Sequence, residues 1–167
     1  KHKLTVALII GGVSFDDQST DTLARVDTLA TLTSPPLSEI LKALMKPSQN
    51  QIAEMLFRTI ALEKTGAGRP DSARAIVERQ IASWGAAVPL EAVVRDGSGL
   101  SRYDYISPQT VVRILDAMRK APNFSVYYDA MPIAGVDGTI RNRMKDTPAE
   151  NNVHAKTGSV APNSSAF

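Results

Sequence analysis

The 167-residue chain contains no cysteine, which excludes disulfides and thiolate metal sites, although absence of cysteine does not identify a cellular compartment. It has no long run of one charge. Nineteen Lys and Arg against 17 Asp and Glu leave a net charge of +2, with no basic stretch long enough to track a phosphate backbone, so nucleic acid is not an expected partner. No apolar run is long enough to span a membrane. The first residue is Lys rather than Met, which fits a chain that begins within a longer reading frame. What remains is an ordinary composition, 43% hydrophobic and 22% charged, with enough apolar material for one domain or a large part of one.

The N-terminal Lys1-His2-Lys3 followed by Leu4-Thr5-Val6-Ala7-Leu8-Ile9-Ile10 has the outline of a secretory leader. The run is short and no small-x-small cleavage site follows, so a buried strand ending at Gly11-Gly12 is the preferred reading. Residues 14–33 are polar and mixed, with Asp16-Asp17 read as surface rather than as a cation site. Ser34-Pro35-Pro36 then predicts a helix start capped by the Ser34 hydroxyl, with Leu37, Ile40, Leu41, Leu44 and Met45 on its apolar face and Pro47 as its stop.

A second helix follows Ser48-Gln49-Asn50. Ile52, Met55, Leu56 and Ile60 are its expected inner face and Gly66 its end. A third, starting near Asp71 or Ser72, places Ala73, Ile76, Val77, Ile81 and Trp84 inward and stops at Gly85. Ala92-Val93-Val94-Arg95 reads as a strand and the turn-rich Asp96-Gly97-Ser98-Gly99-Leu100-Ser101-Arg102 as the loop closing it. Ser107-Pro108 opens a fourth helix with Val111, Ile114, Leu115 and Met118 inward, a short helix covers 126–131, and 132–138 is turn chemistry. The final element, 153–159, is a strand carrying Lys156-Thr157-Gly158.

That tripeptide puts a cation, a hydroxyl and a bare backbone position in succession, suited to a carboxylate and to close approach of an extended ligand. A second copy, Lys64-Thr65-Gly66, sits only 16 positions beyond Ser48 and reads as a helix end. By itself Ser48 is most simply a helix N-cap with Asn50 a polar neighbour. His154 invites a Ser-His-Asp reading, but an ordinary strand histidine is preferred because nothing fixes a partner for it.

Taken in order, Met45-Lys46-Pro47-Ser48-Gln49-Asn50, the 96–102 loop, Pro132-Ile133-Ala134-Gly135-Val136-Asp137-Gly138-Thr139 and His154-Ala155-Lys156-Thr157-Gly158-Ser159 resemble the low-molecular-mass, class C penicillin-binding proteins. This is the D-alanyl-D-alanine carboxypeptidase/endopeptidase family of peptidoglycan metabolism, and the resemblance covers 34–159. Ser48 and Lys156 lie 108 positions apart, which suits the family.

The resemblance implies a mixed α/β fold of the β-lactamase/transpeptidase type, with helices packed on an antiparallel sheet that is incomplete here. Residues 1–33 would end an upstream or inserted region. Residues 34–167 would form part of the transpeptidase-like domain, truncated after the Lys-Thr-Gly strand. It implies attack by a serine on stem peptides ending in D-Ala-D-Ala, an acyl-enzyme resolved by water, inhibition by β-lactams, and export to the periplasm or cell envelope, with neither metal nor organic cofactor. No particular oligomeric state follows.

By the same resemblance, Ser48 would relay a proton between the catalytic lysine and the leaving amine, and Asn50 would orient substrate amide and lysine. Lys156 would supply positive potential near Ser48, and Thr157 would bind the terminal carboxylate beside Gly158. The Ser159 N–H would be one of two oxyanion donors. Arg102 would line the substrate pocket. One family element is missing: no Ser in the chain has Lys three positions later, so the nucleophile motif is expected upstream of Lys1. This chain alone is therefore expected to be inactive. The rival readings are a non-catalytic binder of peptidoglycan stems, and a β-lactamase or esterase of the same fold.

Overall fold

The computed structural model describes residues 5–6, 32–87 and 91–159. The Asp16-Asp17 pair and most of the expected first strand, including its Gly11-Gly12 end, fall outside these residues. Within them the architecture is a set of five α-helices joined to small antiparallel pairings. Strand β1 (Thr5–Val6) pairs with β2 (Leu32–Thr33), and β3 (Ala92–Val93) pairs with β4 (Tyr105–Ile106), both antiparallel.

Helix α1 spans Leu37–Met45. Its N-cap is Pro36, whose carbonyl accepts from the N–H groups of Glu39 and Ile40; Ser34, expected to cap it, stands two residues too early. Helix α2 is Asn50–Thr65, ended by Gly66 in the left-handed conformation at φ 77°, the geometry that favours glycine at a helix end. Helix α3, Pro70–Ser83, starts at the proline itself, one residue before the earliest expected start, and its C-terminal turn closes on Gly85 at φ 65°. Helix α4, Pro108–Arg119, has the expected cap: Ser107 Oγ accepts from the N–H of Thr110. Helix α5 is Phe124–Ala130.

Burial corrects the expected faces. In α2 the buried residues are Phe57 and Ala61, whereas Met55 and Ile60 are exposed. Ala61 and Ala73 let α2 and α3 approach closely, with Phe57, Val77 and Val94 completing that core. A pattern weighted by side-chain bulk selects Met55 and Ile60; close packing selects the small residues instead. Trp84 is exposed at the end of α3, and Val111 and Leu115 are exposed on α4, whose one buried residue is Thr110. The strand expected over 153–159 is reduced to a single antiparallel bridge, Ile133 to His154, because Ile133 is its only sheet partner among the described residues.

The 96–102 loop is fastened to α2. Glu54 accepts from the N–H groups of both Gly97 and Ser98 at 3.0 Å, and Asp96 accepts from Gly99 and Ser101. A Cβ on Gly97 would lie 2.6 Å from the Ala53 carbonyl oxygen and 2.7 Å from Phe57 Cβ. Helix backbone cannot yield as a flexible side chain can, so Gly97→Ala is expected to lower stability by about 1–3 kcal/mol. A denaturant titration against the unsubstituted protein checks this.

Candidate active site

Helices α1 and α2 are joined by a three-residue reversal over 46–48, closed by the Gln49 N–H on the Leu44 carbonyl at 2.9 Å. Ser48 occupies the left-handed region at φ 62°, a conformation uncommon for a non-glycine residue. It is not a helix cap. The N-cap of α2 is Gln49, which has no side-chain cap bond, and Asn50 is the exposed first residue of the helix. The Ser48 side chain turns across the molecule, and its Oγ accepts from Lys156 Nζ at 2.6 Å.

Lys156 also donates to the Thr157 carbonyl at 2.7 Å. The residue as a whole is exposed, but its ammonium end is partly withdrawn from water, and this desolvation lowers its pKa from the ordinary lysine value. Thr157 Oγ1 donates to Thr139 Oγ1 at 2.8 Å. Gly158 and Ser159 are exposed and in no regular element, and a Cβ built on Gly158 would meet nothing within 4 Å, so the space beside Gly158 is open.

What holds the two halves together is an ion pair absent from the sequence reading. Lys46, the C-cap of α1, donates to Asp137 Oδ2 at 2.7 Å and to the Met131 carbonyl at 2.6 Å. The other Asp137 oxygen accepts from the Ile133 N–H at 2.9 Å. The turn containing Asp137 bridges to the Lys156 segment through the Ala134 N–H on Val153 O and the Ala155 N–H on Pro132 O. Gly138, at φ 59°, is forced: a Cβ there would lie 2.7 Å from the Lys46 carbonyl oxygen and 2.8 Å from Pro132 Cβ.

The remaining candidates separate from this cluster. His154 stacks on Tyr128 at 3.7 Å between ring centroids, with Nδ1 3.1 Å from the Tyr128 carbonyl, the ordinary packing expected of it. Lys64-Thr65-Gly66 is the C-terminal end of α2, with Thr65 bonded back to the Ala61 carbonyl. Arg102 is exposed in the 96–102 loop, and no hydrogen bond or ion pair among the described residues joins it to Ser48 or Lys156. Just outside that loop, Asp104 Oδ1 accepts from the Arg95 N–H at 2.6 Å. Burial, and secondarily the charge of Asp96, raise the Asp104 pKa against the lowering effect of that N–H.

The structure thus brings a serine and a lysine together over 108 residues, with the paired Thr157 and Thr139 hydroxyls and an open position at Gly158 next to them in the chain. The profile of the D-Ala-D-Ala carboxypeptidase 3 (S13) family matches residues 1–165, and the chain belongs to that family. It is 40% identical to the D-alanyl-D-alanine carboxypeptidase of Actinomadura sp. strain R39 over 91% of this chain and 28% of that protein. It is 38% identical to the D-alanyl-D-alanine carboxypeptidase DacB of Haemophilus influenzae over 79% of this chain and 28% of that one. Penicillin binding protein 4 (dacB) of H. influenzae, solved in complex with a β-lactam, superposes with a TM-score of 0.73 at 35% identity, covering 81% of this chain and 32% of its own. The fold is therefore an incomplete transpeptidase-like one, as expected, and the chain spans less than a third of the length of these relatives.

The Lys46–Asp137 pair makes a prediction with a definite sign. Burial alone would raise the Asp137 pKa, but the Lys46 hydrogen bond, the Ile133 N–H and the charges of Lys46 and His154 outweigh it and hold it below the ordinary 3.8. A depressed folded pKa stabilises above the unfolded value, and the contribution disappears as pH falls through the folded one. Asp137→Asn is expected to cost about 1–3 kcal/mol at neutral pH. The deficit against the unsubstituted protein should close as pH falls below 3.8. Paired denaturant titrations across pH check both statements.

Proposed function

We propose that this chain supplies the second and third motif regions of a serine-type D-Ala-D-Ala carboxypeptidase, acting on peptidoglycan stem peptides through an acyl-enzyme. The 2.6 Å contact of Lys156 Nζ with Ser48 Oγ carries the proposal, since it joins the two motif residues that the chemistry needs together. The nucleophilic serine comes from a Ser-x-x-Lys motif outside the chain, and residues 34–167 are part of the domain that contains it. Residues 1–33 close an upstream or inserted region.

In this reading Ser48 relays a proton from the attacking hydroxyl's lysine base to the leaving D-Ala amine, and the Lys156 charge biases that relay. Asn50, exposed at the head of α2, orients the scissile amide and the lysine base. Thr157 donates to the terminal carboxylate, and the substrate backbone lies along the open flank of Gly158. The Ser159 N–H points its dipole at the developing oxyanion. Arg102 lines the substrate pocket from the 96–102 loop. β-Lactams acylate the same serine as substrate mimics, and the reaction takes place in the cell envelope. Among the described residues no helix is long and apolar enough to cross a membrane.

The test is the intact mass of the full-length polypeptide after incubation with benzylpenicillin. A one-to-one adduct on a serine upstream of Lys1 is expected. An adduct within this chain would overturn the placement of the nucleophile, and no adduct from folded protein would favour a non-catalytic stem-peptide binder. Lys156→Met is expected to slow acylation about 100-fold, on the scale of losing one electrostatic stabiliser. Because desolvation lowers the Lys156 pKa, its charge is lost at a pH below the ordinary 10.5. Acylation should fall over that range, and Lys156→Arg should move this alkaline limb upward in a stopped-flow pH profile.

A further inference from the structure

Thr139 meets the site through the 2.8 Å hydroxyl pair with Thr157. A hydroxyl both donates and accepts, whereas a carboxylate only accepts. In the structure the Thr157 hydroxyl is the donor of the hydrogen and Thr139 Oγ1 the acceptor. For Thr157 to donate to a carboxylate, that hydrogen must swing away, and the pair survives only if Thr139 becomes the donor. The result is a chain of two hydroxyls ending on an anion, in which each bond polarises the next.

Thr139 is well placed to remain still while this happens. It is the middle residue of a 3-10 turn, Gly138–Ile140, with Ile140 fully buried and Gly138 wedged between the Lys46 carbonyl and Pro132. On its other side Asp137 is held by Lys46. We propose that Thr139 is a positioning residue for carboxylate recognition: its hydroxyl reverses from acceptor to donor when an anionic ligand takes the Thr157 hydrogen, and so fixes the Thr157 rotamer. This rests on the reading of Thr157 as the carboxylate-binding hydroxyl given above.

The experiment compares benzylpenicillin with its methyl ester on the full-length polypeptide, reading second-order acylation rates by intact mass. Thr139→Val, which keeps shape and removes the hydroxyl, is expected to slow acylation by the free acid about tenfold, the scale of one hydrogen bond to a charged group. The ester rate should be unchanged, and Thr139→Ser should restore the acid rate. Equal slowing of acid and ester by Thr139→Val would make the residue merely structural and overturn the proposal. A normal acid rate in Thr139→Val alongside an impaired Thr157→Val would also overturn it, while leaving the carboxylate reading intact. A normal acid rate in Thr157→Val would instead remove the carboxylate reading itself.

Discussion

Every distance in the site depends on Lys46 holding Asp137. The two side chains are 91 residues apart in sequence and meet at 2.7 Å, with the lysine also on the Met131 carbonyl and the aspartate on the Ile133 N–H. One ammonium and one carboxylate thus close the C-terminal end of α1 against the 132–138 turn. Ser48 follows Lys46 by two residues, and the turn carries the chain pairings that align Lys156. The charges are partly withdrawn from water, where each is worth more to the other than on an open surface, and both have further hydrogen-bond partners.

From this fixed point the chemistry is arranged by layers of restraint. The Glu54 clamp fastens the 96–102 loop to the helix that follows Ser48, and Asp96 orders the loop's own backbone. The Lys-Thr-Gly segment, by contrast, is tied through the Ile133–His154 bridge and the side chains of Lys156 and Thr157, and is open at Gly158. Rigid support lies behind the reactive groups and open backbone in front of them. That suits an extended peptide that docks along an edge, with main-chain contacts giving affinity and flanking side chains giving selectivity.

Much of this was legible from residue order alone. Pro35-Pro36, Ser107-Pro108, Gly66 and Gly85 mark helix ends because each has a backbone preference that acts locally, and four of the five helices follow from them, although α3 begins at Pro70, a residue before its expected start. Ser-x-Asn and Lys-Thr-Gly, 108 positions apart in that order, gave the family. What escaped depends on tertiary proximity. Ala61 and Ala73 are core because a neighbouring helix comes close, which no hydrophobic period records. Lys46 and Asp137 fall in two of the blocks that carry the resemblance, but nothing in residue order pairs them across 91 positions. Thr139 stands in the 132–139 block of the resemblance, but nothing in the sequence pairs it with Thr157, and the strand expected over 153–159 needs partners that its own sequence does not contain.

The left-handed backbone of Ser48 has a consequence for how the position responds to change. Holding an L-residue other than glycine at φ 62° costs about 1 kcal/mol or more, which glycine would not incur. The substitution most favourable to the fold at this turn is therefore the one that deletes the hydroxyl reaching Lys156. Stability and chemistry pull in opposite directions at this residue. A screen that selects for thermal robustness alone would drift toward a better-folded protein that can no longer make the contact on which the site is built.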